Sequence, residues 1–206
     1  PEDREKVKAT ITALESLAAR VTAAKPEIII ISSPHPDWGI NVPLHFLARN
    51  LQFSNPNFQS ISNFKNFKLK IKNSTAVFPI LTSFDSPKNH FKWGQKIIST
   101  IPEKLRVGWI ASGDMSHRLL PEGPYGLHPS GPKFDREFIE RLKKKDVPGI
   151  LNLDPDFTEE AGECGLRSFC MLLGALEEEK TAWKPEILSY EGPFGVGYLV
   201  ANVKTK

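Results

Sequence analysis

The chain has 206 residues, of which 40% are hydrophobic and 25% are charged, and its formal net charge at pH 7 is +3. This length and composition suit one globular domain with an apolar core. The small positive charge is spread along the chain, and no run approaches the about 20 apolar residues of a membrane span. We therefore expect neither a nucleic-acid partner nor a membrane partner. The two cysteines, Cys164 and Cys170, are six residues apart in a helix-like segment, so we expect no disulfide and a cytoplasmic protein.

The first third of the chain predicts a helix followed by a buried strand. Apolar residues recur three and four positions apart over residues 3–24, which is typical of an amphipathic helix. The β-branched run over residues 27–32 predicts a strand covered on both faces. A short helix is expected over residues 41–50 with Asn41 as its cap, and a weak strand near residues 67–71.

The rest of the chain continues to alternate strands and helices. We predict strands at residues 76–81, 106–112, 186–190 and 197–203, and helices at residues 88–100, 135–144, 148–153 and 165–179. Alternating strands and helices favour an α/β fold with a parallel sheet. We expect a single domain with a central, mostly parallel sheet, helices on both of its faces and a C-terminal strand pair.

Two of the five histidines follow predicted buried strands. His35 comes after the first strand, and His117 follows the strand at residues 106–112. Ligands of open α/β sheets bind beyond the carboxyl ends of the strands, and a histidine there can bind a metal or move a proton. Hydrogen bonding at a strand end would explain one such histidine equally well, but two at equivalent positions favour a function. His45 and His90 are interpreted as packing or surface residues.

Polar residues near these histidines extend the candidate site. Asp114 and Ser116 lie in the six-residue segment that ends at His117, where they either orient a ligand or simply form a turn. Glu163 precedes the helix predicted from residue 165, so it is either a helix-capping carboxylate or a metal ligand. His128, in a loop rich in proline and glycine, is placed at the mouth of the site.

Four segments together resemble a known family. They are Ala111-Ser-Gly-Asp-Met-Ser-His-Arg118, Gly131-Pro-Lys-Phe-Asp135, Ala161-Gly-Glu-Cys-Gly-Leu-Arg-Ser168 and Tyr190-Glu-Gly-Pro-Phe-Gly-Val-Gly-Tyr198. In this order and spacing they resemble the LigB-like family, the catalytic B subunit of class III extradiol ring-cleavage dioxygenases. The resemblance is strongest to the branch associated with the AmmeMemoRadiSam system, which is related to the Memo proteins.

The resemblance implies a non-haem Fe(II) site, with Zn(II) as the alternative metal, and a catechol-like aromatic substrate. It implies that His35 and Glu163 are metal ligands and that His117 is the acid or base. We expect Asp114, Ser116 and His128 to contact the substrate. A homo-oligomer or a partner domain is also expected.

The family pattern also implies residues that the numbering does not contain. Relatives carry an N-terminal strand with a further ligand histidine, and a long segment separates their Ser-Pro-His motif from Val-Pro-Leu. We therefore expect residues to be missing before Pro1 and between His35 and Asp37. Trp38 stands where relatives have a histidine, which favours a catalytically inactive metal- or protein-binding module as the main alternative. A zinc-dependent deacetylase using His35 and Asp37 is a weaker one.

Overall fold

The structure, a computed structural model, describes residues 2–49, 51–54 and 74–205. The strand expected near residues 67–71 lies outside these ranges. The helices are α1 (Glu2–Lys6), α2 (Lys8–Ala24), α3 (Trp38–Leu47), α4 (Pro87–Ile98), α5 (Ser130–Lys144), α6 (Val147–Leu151), α7 (Pro155–Ala161) and α8 (Leu166–Glu178). The strands are β1 (Ile28–Ser33), β2 (Phe53–Ser54), β3 (Thr75–Leu81), β4 (Val107–Ala111), β5 (Trp183–Glu191) and β6 (Tyr198–Thr205).

The chain forms two compact units, each built from separate segments. The sheet unit comprises residues 16–113 and 167–180. The hairpin unit comprises residues 1–15, 114–166 and 181–206.

The sheet unit contains a parallel sheet whose described strands are ordered β2-β3-β1-β4. At the centre of the sheet, Ile30 of β1 is aligned with Phe78 on one side and with Trp109 on the other. All six residues of β1 are buried, as its β-branched sequence predicts for a strand covered on both faces.

Each face of this sheet carries its own apolar cluster. Ile28 and Ile30 pack with residues of α4 and α8 on one face. Ile29 and Ile31 point the other way and pack with residues of α2 and α3. Successive side chains of a strand alternate between faces, so one isoleucine run supplies both clusters. The predicted α/β class, with helices on both faces of a parallel sheet, is confirmed.

The hairpin unit contains the antiparallel pair of β5 and β6, which has an irregularity between Ile187 and Ser189. Its core includes Phe134 and Phe138 of α5, whose ring centroids are 6.2 Å apart. The predicted C-terminal strand pair is therefore present. None of the helices in the described ranges combines the length and the apolar character needed to cross a bilayer.

Two helices begin well before their predicted starts, and a third helix was not predicted. Helix α3 begins at Trp38 rather than after Asn41, because the carboxylate of Asp37 accepts a hydrogen bond from Trp38 N and serves as the cap. Helix α5 begins at Ser130, five residues before the predicted start at Asp135. Helix α7 was not predicted, because its seven residues are too few to show a helical period.

Candidate functional site

A short turn in the hairpin unit brings Asp114 and His117 together. The Nε2 atom of His117 lies 3.2 Å from Oδ2 of Asp114. The side chain of His117 is 17% exposed and that of Asp114 is 42% exposed, so the pair is accessible from solvent on its carboxylate side. A partly buried imidazole with a carboxylate partner is a common arrangement for proton transfer.

The end of α7 positions a third side chain beside this pair. Helix α7 is capped by Asp154, which accepts a hydrogen bond from Phe157 N, and it ends at Gly162 in the left-handed conformation (φ 65°). Glycine adopts this conformation without strain and ends the helix. The chain then runs past Cys164, whose Sγ accepts a hydrogen bond from Asp114 N at 3.2 Å.

Asp114, His117 and Cys164 form a cluster of metal-ligating groups. One ligand atom of each residue lies within 4.8 Å of the ligand atoms of the other two. Ligands of one tetrahedral ion lie about 3.4–3.8 Å apart, given metal–ligand bonds of about 2.0–2.3 Å. An ion bound by all three groups would hold their ligand atoms at this closer spacing, and a donor set of carboxylate, imidazole and thiol is typical of Zn(II).

Asp114 dominates the electrostatics of the cluster. The pKa of His117 is raised to about 10, and the largest cause is the hydrogen bond of its ring with Asp114. The hydrogen bond with Cys164 adds to this rise, whereas burial acts in the opposite direction. Burial raises the pKa of Tyr198 as well, and the negative charge of Asp114 adds to that effect. In the metal-free protein, His117 is therefore an imidazolium at neutral pH, and a metal that binds it must displace a proton.

The loop before α5 covers one face of the His117 ring. Tyr125 stacks on the imidazole with ring centroids 5.2 Å apart and an interplanar angle of 28°, and it is itself 64% exposed. His128, in the same loop, is partly buried, and its Nδ1 accepts a hydrogen bond from Ser130 N at 3.3 Å. Tyr125 is therefore a loop residue that contacts His117.

Two further predicted site residues make hydrogen bonds that maintain the local fold. The hydroxyl of Ser116 is buried, donates to Ala161 O at 2.7 Å and accepts from Arg118 N at 2.9 Å. The carboxylate of Glu163 accepts a hydrogen bond from Leu166 N at 2.6 Å and so caps α8. A carboxylate offers about four lone-pair directions, so this cap by itself does not exclude a metal at Glu163.

His35 belongs to the sheet unit and follows β1, where it was predicted. Its side chain is exposed, and its backbone N–H donates to the buried Ser33 hydroxyl at 3.1 Å. Gly39 lies so close that a Cβ there would be 1.8 Å from Ser33 Oγ. The loop that carries His35 is thus packed tightly against the start of α3.

Sequence reasoning missed two residues that contact His117. Cys164 was considered only as a half of a disulfide, and both cysteines are free thiols. Its position next to Glu163, in a motif already singled out, was the signal that could have identified it. Tyr125 gave no such signal, because its contact with His117 depends on the path of an aperiodic loop.

Comparison with known proteins identifies the family. Residues 35–201 match the sequence model described as the catalytic LigB subunit of aromatic ring-opening dioxygenase. The chain belongs to this family. Its members bind a metal, in agreement with the cluster of Asp114, His117 and Cys164.

The chain is also similar to Protein CA_C1420 of Clostridium acetobutylicum. The two are 47% identical over 115 residues, which is 55% of this chain and 24% of the relative. The match thus spans about a quarter of the relative's length.

Proposed function

We propose that this protein is a class III extradiol-type dioxygenase that opens the ring of a catechol-like aromatic substrate with dioxygen and Fe(II). The observation that carries the proposal is the His117–Asp114 pair, at 3.2 Å, within a chain that belongs to the LigB family. Ring opening of a catechol needs a group that moves protons on the substrate hydroxyls. His117 has the chemistry and the carboxylate partner for that role.

The family resemblance of the sequence motifs is what supports His35 and Glu163 as the proposed Fe(II) ligands. An imidazole and a carboxylate are two of the donors in the facial arrangement that non-haem Fe(II) oxygenases use. When bound, Fe(II) would supply open coordination positions and the redox chemistry that ring opening with dioxygen requires. The assignment leaves His117 available for proton transfer.

His117 acts as the acid in this mechanism before it acts as the base. Because Asp114 raises the pKa of His117 to about 10, the ring enters the reaction protonated at neutral pH. It can donate a proton to a leaving or developing oxyanion, and the neutral ring then accepts one back. We assign Tyr125 to the substrate side, where its exposed ring borders the His117 imidazole, together with Asp114 and His128. The hydroxyl of Ser116, which was expected to contact the substrate, is buried and bonded to Ala161 O and Arg118 N.

A metal-binding module without ring-opening activity is the second candidate. The observation that favours it is the thiol of Cys164 beside His117 and Asp114, because a thiolate donor suits Zn(II) better than it suits an Fe(II) oxygenase site. In that case His117 would be a ligand and could not transfer protons.

The four sequence motifs support placement of the chain in the AmmeMemoRadiSam-associated branch, related to Memo proteins. Free thiols at Cys164 and Cys170 suit a reducing, cytoplasmic setting, which is part of the same proposal. A homo-oligomer or a partner domain stays a prediction.

Anaerobic calorimetry of the full-length protein with Fe(II) and with Zn(II) tests the two candidates. The proposal expects one equivalent of Fe(II), lost in His35→Ala and Glu163→Gln and retained in His117→Gln and Cys164→Ser. Glutamine at 163 still accepts the hydrogen bond from Leu166 N, so this variant removes the charge but keeps the helix cap. The opposite pattern, with binding lost in His117→Gln and Cys164→Ser, would favour the metal-binding module.

A further inference from the structure

Backbone hydrogen bonds within the hairpin unit hold the segment around His117 from two sides. Met115 N donates to Gly197 O at 3.0 Å, and Gly197 N donates to Ser116 O at 2.8 Å. His117 N donates to Gly162 O at 3.3 Å on the other side. A side chain of α5 also holds this segment, since Ser116 N donates to Asp135 Oδ1 at 2.8 Å.

Asp135 is a fully buried carboxylate, which is an unusual group to find in a core. Its Oδ1 accepts the hydrogen bond from Ser116 N, and its Oδ2 accepts one from the Tyr190 hydroxyl at 2.6 Å. Burial of a carboxylate is costly unless such hydrogen bonds are made. Two well-formed hydrogen bonds, one of them to the segment before His117, account for its retention.

Two glycines allow the close packing of α5 and of the chain before β6 around Asp135 and the Ser116–Arg118 segment. A Cβ at Gly131 would lie 2.4 Å from Arg118 O and 2.6 Å from Ser116 Oγ. A Cβ at Gly197 would lie 2.3 Å from Asp135 Oδ2. Gly131 and Asp135 are four residues apart on α5, so they share one helix face, and that face is applied to the Ser116–Arg118 backbone.

We propose that Asp135, held by Tyr190, is the positioning residue that fixes the orientation of His117. This inference rests on the role proposed for His117 in ring opening. Asp135 acts through the backbone of Ser116 and touches neither substrate nor metal. Asp135 and Tyr190 belong to the Gly131–Asp135 and Tyr190–Tyr198 motifs, to which the proposed ring-opening chemistry assigns no other role.

The experiment compares Asp135→Ala with Asp135→Asn and with a control on the same helix. Asparagine keeps an acceptor for Ser116 N and a polar group for Tyr190, so it should act as the conservative rescue. The control is Phe138→Ala or Phe138→Leu, whichever matches the loss of thermal stability in Asp135→Ala. Phe138 is buried on α5, where its ring stacks on that of Phe134.

The first readout needs no metal and no activity. In Asp135→Ala the amide of Ser116 should exchange at least about tenfold faster, since its acceptor is gone, while the Gly162 amide at the end of α7 keeps its rate. The NOEs between the stacked rings of His117 and Tyr125 should weaken. Asp135→Asn should keep the Ser116 exchange rate and the His117–Tyr125 NOEs close to their wild-type values. The Phe138 control should change neither quantity.

The second readout uses the Fe(II)-loaded protein. Asp135→Ala should lower kcat for a catechol by at least about tenfold with little change in KM or Fe(II) affinity, because only the orientation of the proton-transfer group is lost. Unchanged His117–Tyr125 NOEs in Asp135→Ala, or an equal change in the Phe138 control, would overturn the inference. If wild type shows no turnover, the proposed function fails while the metal-free readout still decides the role of Asp135.

If Asp135→Ala does not fold, Tyr190→Phe takes its place in both experiments. Tyr190→Phe removes a single hydroxyl from a side chain that is 39% exposed, so the fold should tolerate it. It should shift the same NOEs and kcat in the same direction as Asp135→Ala, by a smaller factor. Unchanged NOEs together with an unchanged kcat in Tyr190→Phe would count against the inference.

Discussion

Glu163 and Cys164 are neighbours in sequence, yet their side chains have different partners. The Glu163 carboxylate accepts a hydrogen bond from Leu166 N, whereas the Cys164 thiol accepts one from Asp114 N, beside His117. Either residue can supply a metal ligand, but they imply different chemistry. A carboxylate suits an Fe(II) oxygenase, and a thiolate suits Zn(II).

The pKa of His117 should be near 10 in the metal-free protein, because the ring is hydrogen-bonded to Asp114. Asp114→Asn removes the charge and should lower this pKa by more than about one unit. NMR titration of the His117 ring protons measures both values. A wild-type pKa close to 6.5 would contradict the pairing.

The raised pKa of His117 makes the free energy of unfolding depend on pH. The pKa of His117 is higher in the folded state than in the unfolded state, so its contribution is complete below about pH 6.5 and is lost as the pH rises towards 10. Urea unfolding of the metal-free protein at pH 6, 8 and 10 should show a decline that is smaller in His117→Gln. Equal declines in the two proteins would mean that His117 does not contribute.

Metal affinity should distinguish the two ligand sets through its pH dependence. If His117 and Cys164 bind the ion, each displaced proton makes the apparent affinity rise by up to about tenfold per pH unit. Our assignment of Fe(II) to His35 and Glu163 displaces no proton from His117, so it predicts a shallower rise between pH 7.0 and 8.5. Anaerobic calorimetry at several pH values, with Cys164→Ser as the control, measures the slope.

Tyr125 should affect the substrate more than the fold. Its ring is 64% exposed, so Tyr125→Ala should cost less than about 1 kcal/mol of stability. The same variant should raise KM for a catechol, whereas Tyr125→Phe, which keeps the stacked ring, should not. Steady-state kinetics and urea unfolding of both variants provide the check, and an equal KM in the two would refute a substrate-side role.

Gly197→Ala should be much more harmful than Gly108→Ala. A Cβ at 197 would lie 2.3 Å from Asp135 Oδ2 and 2.8 Å from Met115 Cβ, whereas a Cβ at 108 has no neighbour closer than 3.7 Å. We expect Gly197→Ala to cost about 1–3 kcal/mol through overpacking, and Gly108→Ala to change stability by less than about 1 kcal/mol. Chemical unfolding of the two variants makes the comparison, and similar losses would show that the close packing at Gly197 is not required.

The sequence predicted the sheet well, because its pattern is strong and local. The isoleucine run of β1 and the strands predicted at residues 76–81 and 106–112 were recognised from apolar patterning alone, and the ends of β3 and β4 lie within one residue of these bounds. His90 was harder. It lies at the start of an amphipathic helix, but its ring is fully buried, with Nδ1 2.9 Å from Ser86 O and Nε2 accepting from Ser83 N.

The candidate site was predicted in part. His117 and Asp114 were identified because they follow a buried strand, and their contact is short-range. The thiol of Cys164 and the carboxylate of Asp135 lie 47 and 18 residues further along the chain than His117, and no periodic pattern places them beside it. Such contacts depend on tertiary packing, which a single sequence does not encode in a readable local signal.

Oxygen uptake is the most direct test of the proposed ring-opening activity. The full-length protein is loaded anaerobically with Fe(II) and then mixed with catechols in aerated buffer, with His117→Gln as the matched control. We expect oxygen consumption with the appearance of a ring-opened product, at a rate that is reduced by about 10²-fold or more in His117→Gln. Tight Fe(II) binding without oxygen uptake on any catechol, or equal rates in wild type and His117→Gln, would contradict it.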